Sequence, residues 1–280
     1  MKPGLQLGFE FEFRHNLSHR EIARQLNLLF PNEIFEVHNT AGASHSSDQF
    51  NIKPENNLHI LDTEHEKELK NSCEIATPVW SQNLAIKNFK TIIKWLRITG
   101  AQTFCCCGIH VNISFKNMTE NTKISRLKLV LLHNDEDLLR YFGRSNNPYC
   151  QNTFSQALRW IDANSNMSPE MLKCALLRRI YNNLSSKRWS IRLSQDLIDC
   201  DFNPQDDSCY VEFRALGGHN YQYKLNDLVH GIYQFIQTIR KSVDPDTDSN
   251  LYNIIQYYRK KSNKKDRVQK SVSKGESLCI

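Results

Sequence analysis

Two glutamates, Glu10 and Glu12, lie two residues apart in the stretch GFEFEF at residues 8–13. Successive side chains of a β-strand point to opposite faces, so the carboxylates would share one face and the phenylalanines the other. Neighbouring carboxylates repel each other, which raises the pKa of one of them unless a cation neutralises both. Oxygen-rich sites of this kind suit Mg²⁺ or Mn²⁺. Taken alone, the pair is more typical of a solvated strand face.

A second polar strand face occurs in CGIHVNIS at residues 107–114, where His110, Asn112 and Ser114 alternate with apolar residues. Neutral imidazole is a good ligand for a divalent ion that carboxylates already hold. Glu74, in CEIATP at residues 73–78, is a further carboxylate at a strand end. Each of these features is also compatible with exposed polar surface.

Arginines mark two more strand-like stretches, KRWSIR at residues 187–192 and YVEFR at residues 210–214. Arg188 and Arg192 would share one strand face, and Glu212 would share another with Arg214. Guanidinium groups bind phosphate oxygens through two parallel hydrogen bonds, which suits nucleotide binding and phosphoryl transfer. A cross-strand ladder of glutamate and arginine, which contributes little stability when exposed, is the ordinary alternative.

The strand-like stretches described above are far apart in the chain, yet the strands of one sheet could bring their polar faces together. A sheet face lined by several acids and arginines is costly to bury without a bound cation and phosphate. The set therefore predicts a metal- and phosphate-binding site on one face of a sheet, although no single motif does.

The surrounding pattern predicts the elements that would position this site. Strands and helices are interleaved, which favours an α+β domain with a mostly antiparallel sheet and helices on one face. The stretch 35–62 is irregular, with strand-like pieces such as 57–62. Period-two alternation predicts strands at 6–13, 73–76, 109–115, 188–193 and 210–215. Helical spacing predicts helices at 18–30, 82–98, 124–142, 154–163, 169–184, 225–239 and 251–259.

Composition is that of a globular protein, with 40% hydrophobic and 24% charged residues in a chain of 280. The nine cysteines are irregularly spaced, and three of them, at 105–107, are consecutive. This spacing makes a poor metal site and a poor disulfide framework, so we expect reduced, largely structural cysteines, Cys150 included. The reduced cysteines lead us to expect a cytoplasmic protein. No apolar run reaches the length of a membrane span and no signal peptide is evident, so we expect no membrane partner.

The net charge of +6 is concentrated at the C-terminus. Residues 259–276 contain eight Lys/Arg and two Asp/Glu, which is also a net of +6, so the remainder of the chain is neutral. We predict a single catalytic domain at 1–258 and a basic tail at 259–280. The tail is either a solvated, flexible segment or a contact for nucleic acid or another polyanion.

Six stretches in order resemble the amidoligases, relatives of glutamine synthetase and the γ-glutamyl-cysteine ligases, from Gly8 to about Gly218. They are GFEFEF, LHILDT with Asp62, CEIATP, CGIHVNISF, YFGRSNNPYC and YVEFRALGG. The stretch RWSIR also resembles the arginine-bearing strand of glutamine synthetases. The resemblance implies a glutamine-synthetase-like fold: a curved, mostly antiparallel sheet with helices packed on its convex face.

The resemblance also implies an ATP-dependent carboxylate–amine ligase that uses Mg²⁺ or Mn²⁺ and acts on small molecules or on a peptide or protein. The implied metal ligands are Glu10, Glu12, Glu74, His110 and Glu212. The implied catalytic residues are Arg188, Arg214 and Glu212, and the implied nucleotide contacts are Arg188, Arg214, Asn112 and Lys187. Family members often have a second histidine where this chain has Asn112.

Three alternatives remain open on the sequence. One is a protein of the same fold that binds nucleotide or metal, or serves as structure, without turnover. Another is a ligase whose macromolecular substrate is recruited by the basic tail. The third is metal-dependent phosphoester hydrolysis, because clustered acids and a histidine also suit a two-metal site. The acid, the amine and the oligomeric state are not specified.

Overall fold

A computed structural model describes residues 4–41, 47–55, 71–116, 124–164, 188–193 and 210–243, with short pieces between 166 and 178. The strands are β1 (Gly4–His15), β2 (Phe35–Val37), β3 (Phe50–Lys53), β4 (Asn71–Ala76), β5 (Trp80–Ser81), β6 (Gly108–Lys116), β7 (Ile191–Leu193) and β8 (Val211–Gly217). The helices are α1 (His19–Leu29), α2 (Gln82–Ile98), α3 (Arg126–Leu132), α4 (Glu136–Tyr141), α5 (Thr153–Ala163) and α6 (Leu225–Ser242).

One eight-stranded sheet has the order β2-β3-β4-β1-β6-β8-β7, with β5 paired to β1 beside β4. Among the strands in the described part of the chain, every pairing is antiparallel except that of β2 with β3. The predicted class, helices combined with a mostly antiparallel sheet, is therefore confirmed. The long strand β1 lies near the middle, so its side chains face neighbours on both sides.

Alternation along β1 separates an apolar face from a polar one. Phe9, Phe11 and Phe13 are buried, and Phe89 of α2 packs on the first two at ring distances of 4.9 and 5.5 Å. Farther along the sheet, Phe235 of α6 stacks on a phenylalanine of β8 at 4.5 Å. Helices α2 and α6 thus cover the apolar face and leave the glutamates of β1 on the other.

Strand β8 contains a β-bulge opposite His110. Val111 pairs with Phe213 and Ile109 pairs with Leu216, so β8 has one more residue than β6 over this stretch. A bulge lets one strand gain a residue while the alternation on either side is preserved. Both Phe213 and Leu216 are consequently buried in the core.

Several predicted elements are confirmed with shifted ends, and helix α2 has the predicted bounds. The predicted strand at 188–193 begins only at Ile191. The irregular stretch 35–62 contains β2 and β3, which alternation missed because both are short. The piece at 57–62, most of the helix at 169–184, the helix at 251–259 and the basic tail lie outside the described residues.

The single helix predicted at 124–142 is wrong, because two helices, α3 and α4, occupy this stretch. His133 has extended backbone angles (φ −103°, ψ 101°) and ends α3. Its ring packs on Phe213 at 5.3 Å and on Phe235 at 4.8 Å. Asn134 accepts a hydrogen bond from the Glu136 N–H (3.1 Å), an arrangement that competes with a continuous helix. Among the described helices, none combines the length and apolar character needed to cross a bilayer.

Candidate active site

Cross-strand pairing brings the predicted metal ligands onto one sheet face. Glu12 of β1 is paired with Glu74 of β4, and Glu10 is paired with His110 of β6. Glu212 of β8 lies opposite Asn112, two residues along from His110. Directly paired side chains in an antiparallel sheet lie close together. All five predicted ligands are therefore neighbours on four adjacent strands.

Glu10, His110 and Glu212 form a first group, which we call the histidine cluster. One ligand atom of each lies within 4.8 Å of the others. Nδ1 of His110 lies 2.8 Å from Glu10 Oε2 and 3.3 Å from Glu212 Oε1. Asn112 donates to the other oxygen of Glu10 at 3.0 Å, so it orients a predicted metal ligand.

Glu12, Glu55 and Glu74 form a second group, the carboxylate cluster, whose ligand atoms also lie within 4.8 Å of one another. Glu12 Oε2 accepts a hydrogen bond from the Gly108 N–H at 2.6 Å. Sequence patterns missed Glu55 because it follows the end of β3, where no periodicity marks a face. Only the pairing of β3 with β4 brings it to the site.

The imidazole of His110 joins the two clusters. Its Nε2 lies 3.6 Å from Glu12 Oε1 and is buried without a hydrogen-bond partner, in a residue only 3% exposed. A buried imidazole nitrogen without a partner, among carboxylate oxygens, is suited to a divalent metal ion. Both the donor set and this nitrogen fit the expected Mg²⁺ or Mn²⁺.

The pKa values of the glutamates in the two clusters depend on which cationic groups lie close to each carboxylate. Burial and the neighbouring charge of Glu10 raise the pKa of Glu74 well above its usual range. Burial would raise the pKa of Glu10 as well, but hydrogen bonding and charge from His110 lower it below its usual range. A cation between the carboxylates would lower the pKa of Glu74 by favouring its charged form.

Lys53 of β3 is a buried cation that sequence patterns did not mark. It is the cross-strand partner of Glu74, and its Nζ lies 3.0 Å from Glu74 Oε1. Burial alone would lower the pKa of Lys53, but Glu74, followed by Glu10 and Glu55, raises it above its usual value. The lysine therefore stays charged at the edge of the carboxylate cluster.

Two arginines meet Glu212 at the opposite edge of the site. Arg192 Nη1 donates to Glu212 Oε2 at 3.0 Å, and Arg214 Nη1 donates to Oε1. Glu212 and Arg214 thus lie next to each other at this edge of the site. Arg188 precedes β7 and has an exposed side chain, so Arg192 is the arginine that this strand brings to Glu212. Lys187, predicted as a nucleotide contact, lies outside the described residues, as does Asp62.

A third arginine, Arg144, reaches the site from the loop after α4. It is buried, and its Nη1 donates to the carbonyl of Cys107 at 2.6 Å. Glycine is required beside it: a Cβ on Gly217 would lie 2.7 Å from Nη1. The residue belongs to the family-like stretch YFGRSNNPYC, but nothing in the local pattern indicates a buried role.

Cys150, in the same stretch, is buried and donates its thiol hydrogen to the carbonyl of Arg214 at 3.0 Å. Burial raises its pKa to about 11, so the thiol stays protonated. The described cysteines are free. These contacts support the structural role expected for Cys150.

The chain matches the model of a family described as "putative amidoligase enzyme" over residues 3–191, more than half of its length. No curated protein matches it significantly. The matched range includes β1 to β6 and the start of β7. Glu212 and Arg214 lie beyond that range, yet pairing of β8 with β6 places them beside His110.

Proposed function

Because the chain belongs to this amidoligase family, we propose that it is an ATP- and Mg²⁺-dependent carboxylate–amine ligase. The observation that carries the proposal is the meeting of the histidine cluster and the carboxylate cluster at the unpartnered Nε2 of His110. Mn²⁺ would suit the same ligands. The matching fold would be glutamine-synthetase-like, with the polar sheet face as its nucleotide site.

Activation of the carboxylate explains why such a site needs ATP. A carboxylate is a poor electrophile because its oxide leaving group is too basic. Transfer of the γ-phosphoryl group from ATP to the substrate carboxylate gives ADP and an acyl phosphate. A substrate amine then attacks the carbonyl carbon, and phosphate leaves as the amide bond forms. The protein's own task is to neutralise charge and to align the reactants.

The two clusters would each hold one divalent ion. When bound, these ions would supply positive charge to the phosphate oxygens. His110 would orient both clusters, because its two ring nitrogens face Glu10 on one side and Glu12 on the other. Asn112 would keep Glu10 in a fixed orientation through its hydrogen bond.

The arginine edge of the site would contact the phosphates. Arg192 and Arg214 are held side by side by the two oxygens of Glu212. A pre-oriented guanidinium pair costs little reorganisation when charge moves onto the transferring phosphoryl group. Arg188 and Lys187 remain predicted contacts of the same phosphates.

Hydroxylamine offers a test that does not require the natural amine, since it traps acyl phosphates as hydroxamates. The purified chain is incubated with ATP, Mg²⁺, hydroxylamine and a panel of carboxylic acids and peptides. We expect ADP release and hydroxamate formation that depend on the acid. Glu10→Gln and Glu212→Gln should abolish both products. Glu136→Gln, at an exposed position on α4, is the matched control and should retain them. Full activity in the first two variants would refute the assignment.

A further inference from the structure

The ammonium of Lys53 lies at the edge of the carboxylate cluster, 3.0 Å from Glu74 Oε1. Lys53, Glu74 and Glu12 stand side by side on β3, β4 and β1. The side chains of Lys53 and Glu74 are only 9% and 8% exposed. An ion pair this well buried is held in one geometry, because water competes little for either partner.

Each of these two glutamates has one oxygen engaged by the protein. Glu74 Oε1 meets Lys53 Nζ at 3.0 Å. Glu12 Oε2 accepts the Gly108 N–H at 2.6 Å. An ion bound to Oε1 of Glu74 or Oε2 of Glu12 would share that oxygen with Lys53 or Gly108, so the less engaged oxygens are Oε2 of Glu74 and Oε1 of Glu12.

This restriction distinguishes between divalent ions. Mg²⁺ requires near-octahedral geometry, keeps several waters and takes single oxygens from one or two carboxylates. Ca²⁺ is larger and takes six to eight oxygens, often both oxygens of one carboxylate. A carboxylate that keeps one oxygen on a lysine is held in an orientation that favours its other oxygen as the ligand, so it is a poorer bidentate ligand for Ca²⁺.

Charge acts in the same direction. Glu12, Glu55 and Glu74 carry three negative charges when ionised, and Lys53 offsets one of them. The remaining charge of −2 is balanced by the +2 charge of a single divalent ion. Without the lysine, the additional negative charge would strengthen binding of any divalent cation, and Glu74 could turn both oxygens towards a larger ion such as Ca²⁺.

We infer that Lys53 is a positioning residue that makes the carboxylate cluster selective for Mg²⁺ over Ca²⁺. It does so by holding one oxygen of Glu74 and by offsetting one charge. The inference rests on the proposed function only in treating the carboxylate cluster as a divalent ion site. It assigns to Lys53 a role in metal choice rather than in the transfer of the phosphoryl group.

Competition against Mn²⁺ tests the inference without any substrate. Bound and free Mn²⁺ are separated by electron paramagnetic resonance while Mg²⁺ or Ca²⁺ is added to the full chain. Lys53→Met keeps an aliphatic side chain of similar length and removes the charge. We expect its preference for Mg²⁺ over Ca²⁺ to fall about tenfold, the effect of roughly one charged hydrogen bond. Lys94→Met, at an exposed position on α2, should keep the wild-type preference.

Two further variants separate the outcomes. Lys53→Gln repeats the test if Lys53→Met fails to fold, and it should shift the preference in the same direction. Glu55→Gln tests whether the ion affected by Lys53 is bound by the carboxylate cluster. Loss of the Glu55 carboxylate should weaken the binding of that Mn²⁺ ion. A folded neutral variant with the wild-type ratio would overturn the inference about Lys53 alone. Absence of Mn²⁺ binding in the wild-type chain would instead overturn the proposed metal site.

Discussion

His110 Nε2 lies 3.6 Å from Glu12 Oε1, while Nδ1 of the same ring lies 2.8 Å from Glu10 Oε2. One imidazole therefore bridges two glutamates of the same strand face. The ring of His110 therefore connects the histidine cluster and the carboxylate cluster into one site. Its replacement should affect both of them at once, whereas loss of a glutamate should affect mainly its own cluster.

The first prediction concerns His110→Asn. Asparagine removes both ring nitrogens, so neither cluster keeps its imidazole contact and we expect Mn²⁺ affinity to fall by at least about tenfold. Mn²⁺ titration and hydroxamate formation measure the two consequences. His230→Asn, at an exposed position on α6, is the control and should behave as the wild type. Unchanged Mn²⁺ binding in His110→Asn would contradict the bridging role.

A second prediction follows from the space above Gly108. A Cβ added there would lie 2.9 Å from His110 Nε2 and 3.0 Å from both Glu12 Oε2 and Arg144 Nη1. Gly108→Ala should therefore displace metal ligands and reduce Mn²⁺ affinity about tenfold or more. Gly8→Ala on β1 is the matched control, because its nearest neighbour, on Val79, would be 3.5 Å away. Equal Mn²⁺ affinity in the two variants would argue against a crowded site at Gly108.

A third prediction concerns the stability contributed by Arg144. Its guanidinium donates to the Cys107 carbonyl, next to the peptide N–H that binds Glu12. Arg144→Met should lower the free energy of unfolding by about 1–3 kcal/mol, the usual cost of losing a buried charged hydrogen bond. Urea denaturation measures it. Arg140→Met, which removes an exposed ion pair with Asp137, should cost less than about 1 kcal/mol. A smaller loss in Arg144→Met than in Arg140→Met would contradict this role.

Local periodicity was sufficient to predict part of the site. The alternation in β1 and β6 placed Glu10, Glu12 and His110 on polar strand faces, and the structure has them there. Such predictions succeed where a strand is long and buried on one face only. They depend on neighbouring residues alone, which is why the bounds of α2 could also be predicted.

The remainder depended on tertiary structure. Lys53 could not be predicted because β3 is four residues long and buried throughout, so it shows no alternation. Glu55 could not be predicted because it follows the end of that strand. Arg192 rather than Arg188 meets Glu212 because pairing with β8 determines where β7 begins. Packing of His133 against two phenylalanines ends α3, although the local pattern favours one helix. In each case a contact distant in sequence decides the outcome.

The last prediction concerns Asp135, which is fully buried and lies 4.0 Å from His133. Burial raises the pKa of Asp135 from 3.8 to about 7, so between these values the folded protein holds a proton that the unfolded chain has released. Stability from this group is fully present below about pH 4 and is lost as pH rises toward 7, by about 1.4 kcal/mol per pH unit.

Asp135→Asn cannot titrate. We therefore expect the wild-type free energy of unfolding to fall relative to the variant over this range, as measured by urea denaturation at several pH values. The comparison isolates Asp135 because both proteins contain His133. A difference between the wild type and Asp135→Asn that does not change with pH would contradict the raised pKa of Asp135.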